Sequence, residues 1–150
     1  MQIRYDYRDA DERIIHSVIR TDNKDFFRVR KVDGKDVSNW DGVQIVPFNL
    51  PEFFSSEAVV LVEGEKDVLN LDKYGVIATT IPGGSNGWSP LVKKQPDFCK
   101  KYFEGKVVVI IPDNDEAGHK YVSAEHPEAD ISKGAKRIDA SGKEFFPRKK

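Results

Sequence analysis

Apolar and polar residues alternate with a period of two through residues 2–32. Tyr5 and Tyr7, then Ile14 to Ile19, then Phe26, Phe27 and Val29 are separated by Arg8-Asp9-Ala10-Asp11-Glu12 and Thr21-Asp22-Asn23-Lys24-Asp25. This pattern predicts a three-stranded antiparallel meander. Residues 33–45 read as a loop around Gly34, Trp40 and Gly42. Val46-Pro47-Phe48-Asn49-Leu50-Pro51 reads as an extended linker, because each proline disfavours helix in the residue before it. The pattern then changes. Val59 to Val62 and Val107 to Ile111 are unbroken aliphatic runs, too short for helices and too uniformly apolar for strands with one wet face, which predicts buried parallel strands. Between them lie a helix predicted from Lys66 to Tyr74, with Val68, Leu69 and Leu71 facing the sheet and Gly75 as its stop, and a strand from Val76 to Thr80. A glycine-rich loop from Ile81 to Trp88 and a weakly helical stretch broken at Pro96 complete a β-α-β-α-β order. A third helix is expected near Glu116 and a fourth strand around Arg137 to Ala140.

The predicted organisation is a β-rich N-terminal subdomain and linker over 1–55, an α/β domain over 56–140 with a mostly parallel, Rossmann-like sheet flanked by helices, and a basic tail over 141–150. Residues 133–150 carry seven basic side chains against two acidic ones, and a partly disordered end is expected there. With 150 residues, 39% hydrophobic and 33% charged, the chain suits one globular domain of ordinary size. A net charge of −1 opposes coating of nucleic acid by bulk positive potential, so any polyanion contact has to be focused. The single cysteine, Cys99, excludes an internal disulfide framework and a zinc ribbon of several thiolates. No run approaches the length of a membrane span and the first residues are polar, so a cytoplasmic protein is expected.

Chemistry concentrates after the two aliphatic runs. Glu63-Gly64-Glu65-Lys66-Asp67 follows the first, and Asp113-Asn114-Asp115-Glu116-Ala117-Gly118 follows the second. In an open α/β sheet the ligand crevice lies outside the carboxyl ends of the strands, so Glu63, Asp113 and Asp115 should project into one cleft. Three converging carboxylates need a cation, and oxygen ligands without histidine or cysteine select magnesium, with manganese or calcium as the other hard cations. Asp113 and Asp115 would reach one ion from the same side of a turn. Glu63 would bind that ion, act as a general base, or hold a second metal, and Asp67 would enter the cleft from the first helical turn. Lys66 is a candidate phosphate contact. Taken alone, Asp-Asn-Asp is more often a turn with a helix cap. An EF-hand is excluded because its twelfth loop position is Ala124, where a bidentate Glu is required. A phosphatase with an Asp-x-Asp nucleophile would leave the Glu63 cluster without a role.

The paired motifs Glu63-Gly64-x-x-Asp67 and Asp113-x-Asp115-x-x-Gly118, each after its own strand, resemble the Toprim domain over about residues 56–122. Together with Ala78-Thr79-Thr80-Ile81-Pro82-Gly83-Gly84, they are most similar to primase and primase-helicase proteins of phages, plasmids and integrated elements. The resemblance implies a Toprim-like sheet, with Glu63 as general acid/base or metal-linked carboxylate, Asp113 and Asp115 binding magnesium (or manganese), and Asp67 assisting. It implies primer synthesis on single-stranded DNA from nucleoside triphosphates, with zinc-binding and helicase domains supplied outside this chain. The third acidic pair of such primases has no convincing counterpart among Asp130, Asp139 and Glu144. That departure points to a truncated or divergent catalytic domain, inactive when isolated if partner domains are required. Two other readings stand beside it, a stand-alone Toprim nuclease and a non-catalytic replication module.

The remaining candidates are weaker. Gly83 and Gly84 would cradle a nucleotide phosphate through backbone N–H groups, although such loops are more often plain turns. No Gly-Lys-Ser/Thr follows, so no ATPase motor is visible. Trp40 and Trp88 suit packing between subdomains better than base stacking. His16, His119 and His126 are scattered and read as non-ligands.

Overall fold

The computed structural model describes residues 1–113, 136–138 and 144–145. Strands β1 (Gln2–Arg8), β2 (Ile14–Thr21) and β3 (Phe26–Val32) form the expected meander. Tyr5 pairs with Val18, Tyr7 with His16, and Arg20 with Phe26, and directly paired residues share a face. One face therefore carries Tyr5, Tyr7, His16 and Val18 into the core, all four buried.

Two stretches differ from expectation. A fourth strand, β4 (Lys35–Val37), pairs with β3 across a two-residue turn in which Asp33 and Gly34 both have positive φ. Asp-Gly suits the hairpin turn that needs this geometry, but the strand is too short and polar to show an alternating pattern. The second is the expected linker, whose end folds as helix α1 (Leu50–Phe53). Pro51 stands at the start of that helix, where its missing N–H has no partner to lose, and Leu50 and Phe53 are buried.

The second sheet runs in the order β6–β5–β7–β8–β9, built from β5 (Ala58–Leu61), β6 (Ala78–Thr79), β7 (Val107–Ile110), β8 (Lys136–Ile138) and β9 (Glu144–Phe145). The first four strands are parallel, as predicted, and β9 returns antiparallel to β8. The helix expected near Glu116 and most of the expected basic tail lie outside the described residues. Helices α2 (Glu65–Asp72), α3 (Trp88–Lys94) and α4 (Phe98–Phe103) complete the α/β part. Val68 of α2 is fully buried and Leu71 partly so, whereas Leu69, expected to face the sheet, is 44% exposed. One residue of helix turns the side chain by about 100°, so Val68 and Leu71 share a stripe that excludes the residue after Val68.

One hydrophobic core serves both sheets: Tyr5, Tyr7 and Val18 join Phe48, Phe53, Val59, Leu61, Trp88 and Phe103. The linker seals the outer edge of β6. Phe48 N–H donates to the Thr80 carbonyl at 2.9 Å, Asn49 Nδ2 donates to the Ala78 carbonyl at 3.1 Å, and Thr79 Oγ1 donates to the Phe48 carbonyl at 2.6 Å. Lys106, one residue before β7, donates from Nζ to the carbonyls of Phe53, Phe54 and Ser56 at 2.5–3.0 Å and so satisfies the C-terminal end of α1. Gln95 bonds both backbone groups of Ile45, which fixes the loop after β4 against the break between α3 and α4. No helix among the described residues is long and apolar enough to cross a membrane.

His16 is packed between Tyr7 (ring centroids 4.5 Å apart) and Trp40 (4.3 Å). Its Nε2 accepts the Val46 N–H at 3.2 Å, so the neutral ring keeps its proton on Nδ1, which has no hydrogen-bond partner among the described residues. Burial lowers its pKa from 6.5 to about 3, and the Arg28 charge acts in the same direction. As pH falls below 6.5 the unfolded chain takes up this proton first. Stability that is complete above pH 6.5 should therefore fall by roughly 1.4 kcal/mol per pH unit toward the folded value. Urea unfolding between pH 7.5 and 4.5 checks this: the wild-type slope should exceed that of His16→Gln by about that amount.

Candidate active site

Strands β5 and β7 lie side by side in register, Leu61 opposite Ile110, and the Ile111 N–H donates to the Leu61 carbonyl at 3.0 Å. The chain leaves both strands at the same level. Glu63 and Asp113 therefore meet, and Glu63 Oε1 accepts the Asp113 N–H at 3.0 Å. Glu63 is half-buried and Asp113 exposed, so the leading acidic residues of the two motifs meet at the mouth of the sheet. Asp115 lies outside the described residues.

Gly64 turns the chain into α2 in extended conformation, and its carbonyl accepts the N–H groups of Asp67 (3.1 Å) and Val68 (3.2 Å). A Cβ on Gly64 would stand 3.2 Å from Asp67 Oδ2, so the Asp67 carboxylate returns toward the turn. Lys66 is exposed on the same helical turn. The loop after β6 closes the third side. Gly83 and Gly84 both take left-handed φ, +85° and +55°, and a Cβ on Gly84 would stand 2.5 Å from the Glu63 carbonyl oxygen. The second glycine thus lets this loop touch the backbone of Glu63 directly.

The structure brings Glu63 against the Asp113 backbone and Gly84 against the Glu63 carbonyl, with Asp67 turned toward Gly64. Among the described residues no group of three or more His, Cys, Asp or Glu is close enough to hold a metal ion. The donors present nevertheless suit a hard cation: Glu63 and Asp113 are solvent-accessible carboxylates on adjoining strand ends.

The N-terminal sheet contributes residues that the motifs did not reveal. Glu65, one residue into α2, is only 2% exposed; its Oε1 accepts the Tyr7 hydroxyl at 2.9 Å and its Oε2 lies 3.4 Å from Arg20 Nη2. Burial, with the Glu65 charge adding to it, pushes the Tyr7 hydroxyl well above its ordinary pKa, so Tyr7 remains a neutral donor. Arg28 lies over the Trp40 ring at 5.0 Å and 3.8 Å from the Cβ position of Gly83. Beside it opens a groove of about 520 Å³ lined by Arg28, Trp40, Gln44, Pro82, Lys94 and Gln95. Neither Glu63 nor Asp113 lines this groove; the glycine loop stands between groove and carboxylates. The signal for Tyr7 was the alternation that puts it on one face with Tyr5, but nothing in the sequence joins that face to Glu65.

Replacing Gly84 by Ala would force the methyl group onto the Glu63 carbonyl at a left-handed φ. The expected cost is roughly 1–3 kcal/mol of stability, measured by thermal unfolding, with a shift in the backbone resonances of Glu63 and Gly64.

Residues 60–140 match the Toprim-like family model. The DNA primase DnaG of Methanocella arvoryzae is 29% identical over 99 residues, which are 66% of this chain but 19% of that protein. The fold is also that of the E. coli primase catalytic core (TM-score 0.62, 19% identity, covering 99% of this chain and 45% of the other). A chain from the complex of the bacteriophage T7 lagging-strand DNA polymerase with primase domains of two gp4 subunits, bound to an RNA/DNA hybrid and dTTP, gives a TM-score of 0.62 at 21% identity, covering 99% of this chain and 67% of that one. This chain spans about a fifth of its curated relative and just under half of the E. coli core. With Glu63 and Asp113 at the ends of adjoining parallel strands and the family match extending over more than half its length, the chain belongs to the Toprim-like family.

Proposed function

We propose that this chain is the Toprim catalytic core of a DNA primase or primase-helicase of a mobile element, joining nucleoside triphosphates into primers on single-stranded DNA in the cytoplasm. The observation that carries the reading is the 3.0 Å hydrogen bond between Glu63 and the Asp113 backbone, which unites the two motifs at one place. DNA primases among the relatives and primase cores among the structural neighbours favour the same chemistry. Glu63, Asp113 and Asp115 would hold magnesium, or manganese in its place. When bound, such an ion neutralises phosphate charge and lowers the pKa of an attacking hydroxyl. Glu63 would act as the general acid/base, with Asp67 assisting from the first turn of α2. Lys66 supplies positive charge for a phosphate, and Gly83 and Gly84 place a loop free of side chains beside it. The groove lined by Arg28 and Lys94, with Asp41 as the one acidic residue in its lining, would take a nucleic-acid strand on a chain whose net charge is −1. Zinc-binding and helicase functions would come from other polypeptide.

The test is incubation of the chain with magnesium or manganese and labelled single-stranded DNA, with nucleotides present or omitted, alongside Glu63→Gln. Nucleotide-dependent oligomers that fall by roughly a hundredfold or more in the variant are the expected result. Shortening of the labelled strand without nucleotides would replace this reading with a nuclease. Absence of both products, with helicase and zinc-binding partners also supplied, would leave a non-catalytic replication module.

A further inference from the structure

Glu65 is a buried carboxylate within a motif whose other acidic members reach solvent. Its first oxygen holds the Tyr7 hydroxyl at 2.9 Å, and its second faces Arg20 at 3.4 Å. Tyr7 is itself immobilised, fully buried and packed on His16 and on Phe48, the latter with ring centroids 5.1 Å apart. Taking a carboxylate out of water costs several kcal/mol and stabilises little unless its partners are well placed, so burial of this charge is a poor device for stability alone. Its merit is orientation. Both partners are donors and both carboxylate oxygens are acceptors, whereas a glutamine would turn an amide N–H toward one of them.

The backbone beside Glu65 is fixed from three other directions. Gly84 presses on the Glu63 carbonyl, the Gly64 carbonyl caps α2, and Val68 is fully buried. The Glu65 side chain joins this turn to the N-terminal sheet through Tyr7 and Arg20. Only Gly64 separates it from Glu63, whose carboxylate in turn holds the Asp113 N–H. We infer that Glu65 is a positioning residue: clamped by Tyr7 and Arg20, it sets the β5–α2 turn so that the Glu63 carboxylate stands against the end of β7. The inference deepens the proposed function, since Glu63 and Asp113 are the carboxylates assigned there, and it gives the N-terminal sheet a part in aligning them.

The test is hydrogen exchange followed by NMR on the full chain and on Tyr7→Phe, Glu65→Gln and Glu63→Gln. Tyr7→Phe keeps the ring and removes only the hydroxyl. Exchange at the Asp113 amide should accelerate about three- to tenfold in Tyr7→Phe and Glu65→Gln, approaching the Glu63→Gln rate, because each change releases the same hydrogen bond. Amides of the β2–β3 ladder should keep their wild-type rates. An unchanged Asp113 rate in both variants would overturn the inference. Uniform acceleration through both sheets would also overturn it, because a merely structural role lowers protection everywhere. Manganese titration of the same proteins separates the two readings. Wild-type chain that binds no manganese while Asp113 still responds to Tyr7→Phe would defeat the metal assignment and support the positioning role.

Discussion

The site depends on the parallel pairing of β5 with β7. Parallel strands in register end at one level, and Leu61 opposite Ile110 fixes that level here. The next few residues of each strand must then emerge together, whatever their side chains. Glu63 and Asp113, fifty positions apart in the chain, become neighbours through backbone geometry before electrostatics acts. The aliphatic character of both strands follows from the same constraint, because central parallel strands are covered on both faces. Val59, Leu61, Val108 and Ile110 bury the face that meets the core, whereas Val60, Val107 and Val109 on the opposite face are half-buried among the described residues.

The antiparallel sheet is bound to this framework through a shared core and through the polar contacts of Tyr7 and Arg20 with Glu65. Tyr5, Tyr7 and Val18 pack into the cluster that holds Leu61 and Trp88, and Tyr7 also reaches Glu65. Apolar contact holds the sheet in place without fixing its detailed orientation, whereas a short hydrogen bond to a buried carboxylate does fix it. The N-terminal sheet also supplies Arg28 and, through the loop after β4, Trp40 to the groove beside the glycine loop. The candidate site and the groove are therefore built from two sheets, though both acidic motifs belong to one.

Much of this was legible in the sequence because two distinct patterns meet near residue 55. Alternation gave the meander and unbroken aliphatic runs gave the parallel strands. Glycine and proline marked the ends of α2 and the break between α3 and α4. The adjacency of Glu63 and Asp113 followed from a general property of α/β sheets. Other features left no such mark. Strand β4 and helix α1 are too short to have a period, and α1 begins with a residue before proline that normally disfavours helix. Leu69 is apolar yet exposed, because burial on α2 follows the stripe of Val68 and Leu71 and not apolar identity. The burial of Glu65 was invisible, since its partners Tyr7 and Arg20 lie 58 and 45 positions away and the motif around it reads as a solvated acidic cluster.

The linker along β6 has a consequence for how the molecule can be divided. Its hydrogen bonds occupy the outward carbonyls of Ala78 and Thr80, which would otherwise form the open rim of the parallel sheet. An unpaired rim invites a strand from another molecule. A chain shortened to begin at residue 56 would keep both acidic motifs, yet it would uncover that rim and strand Glu65 without its phenol. Residues 46–49 are in this sense a covalently attached guard against self-association, and protection of the α/β half's open edge belongs to the segment that precedes it.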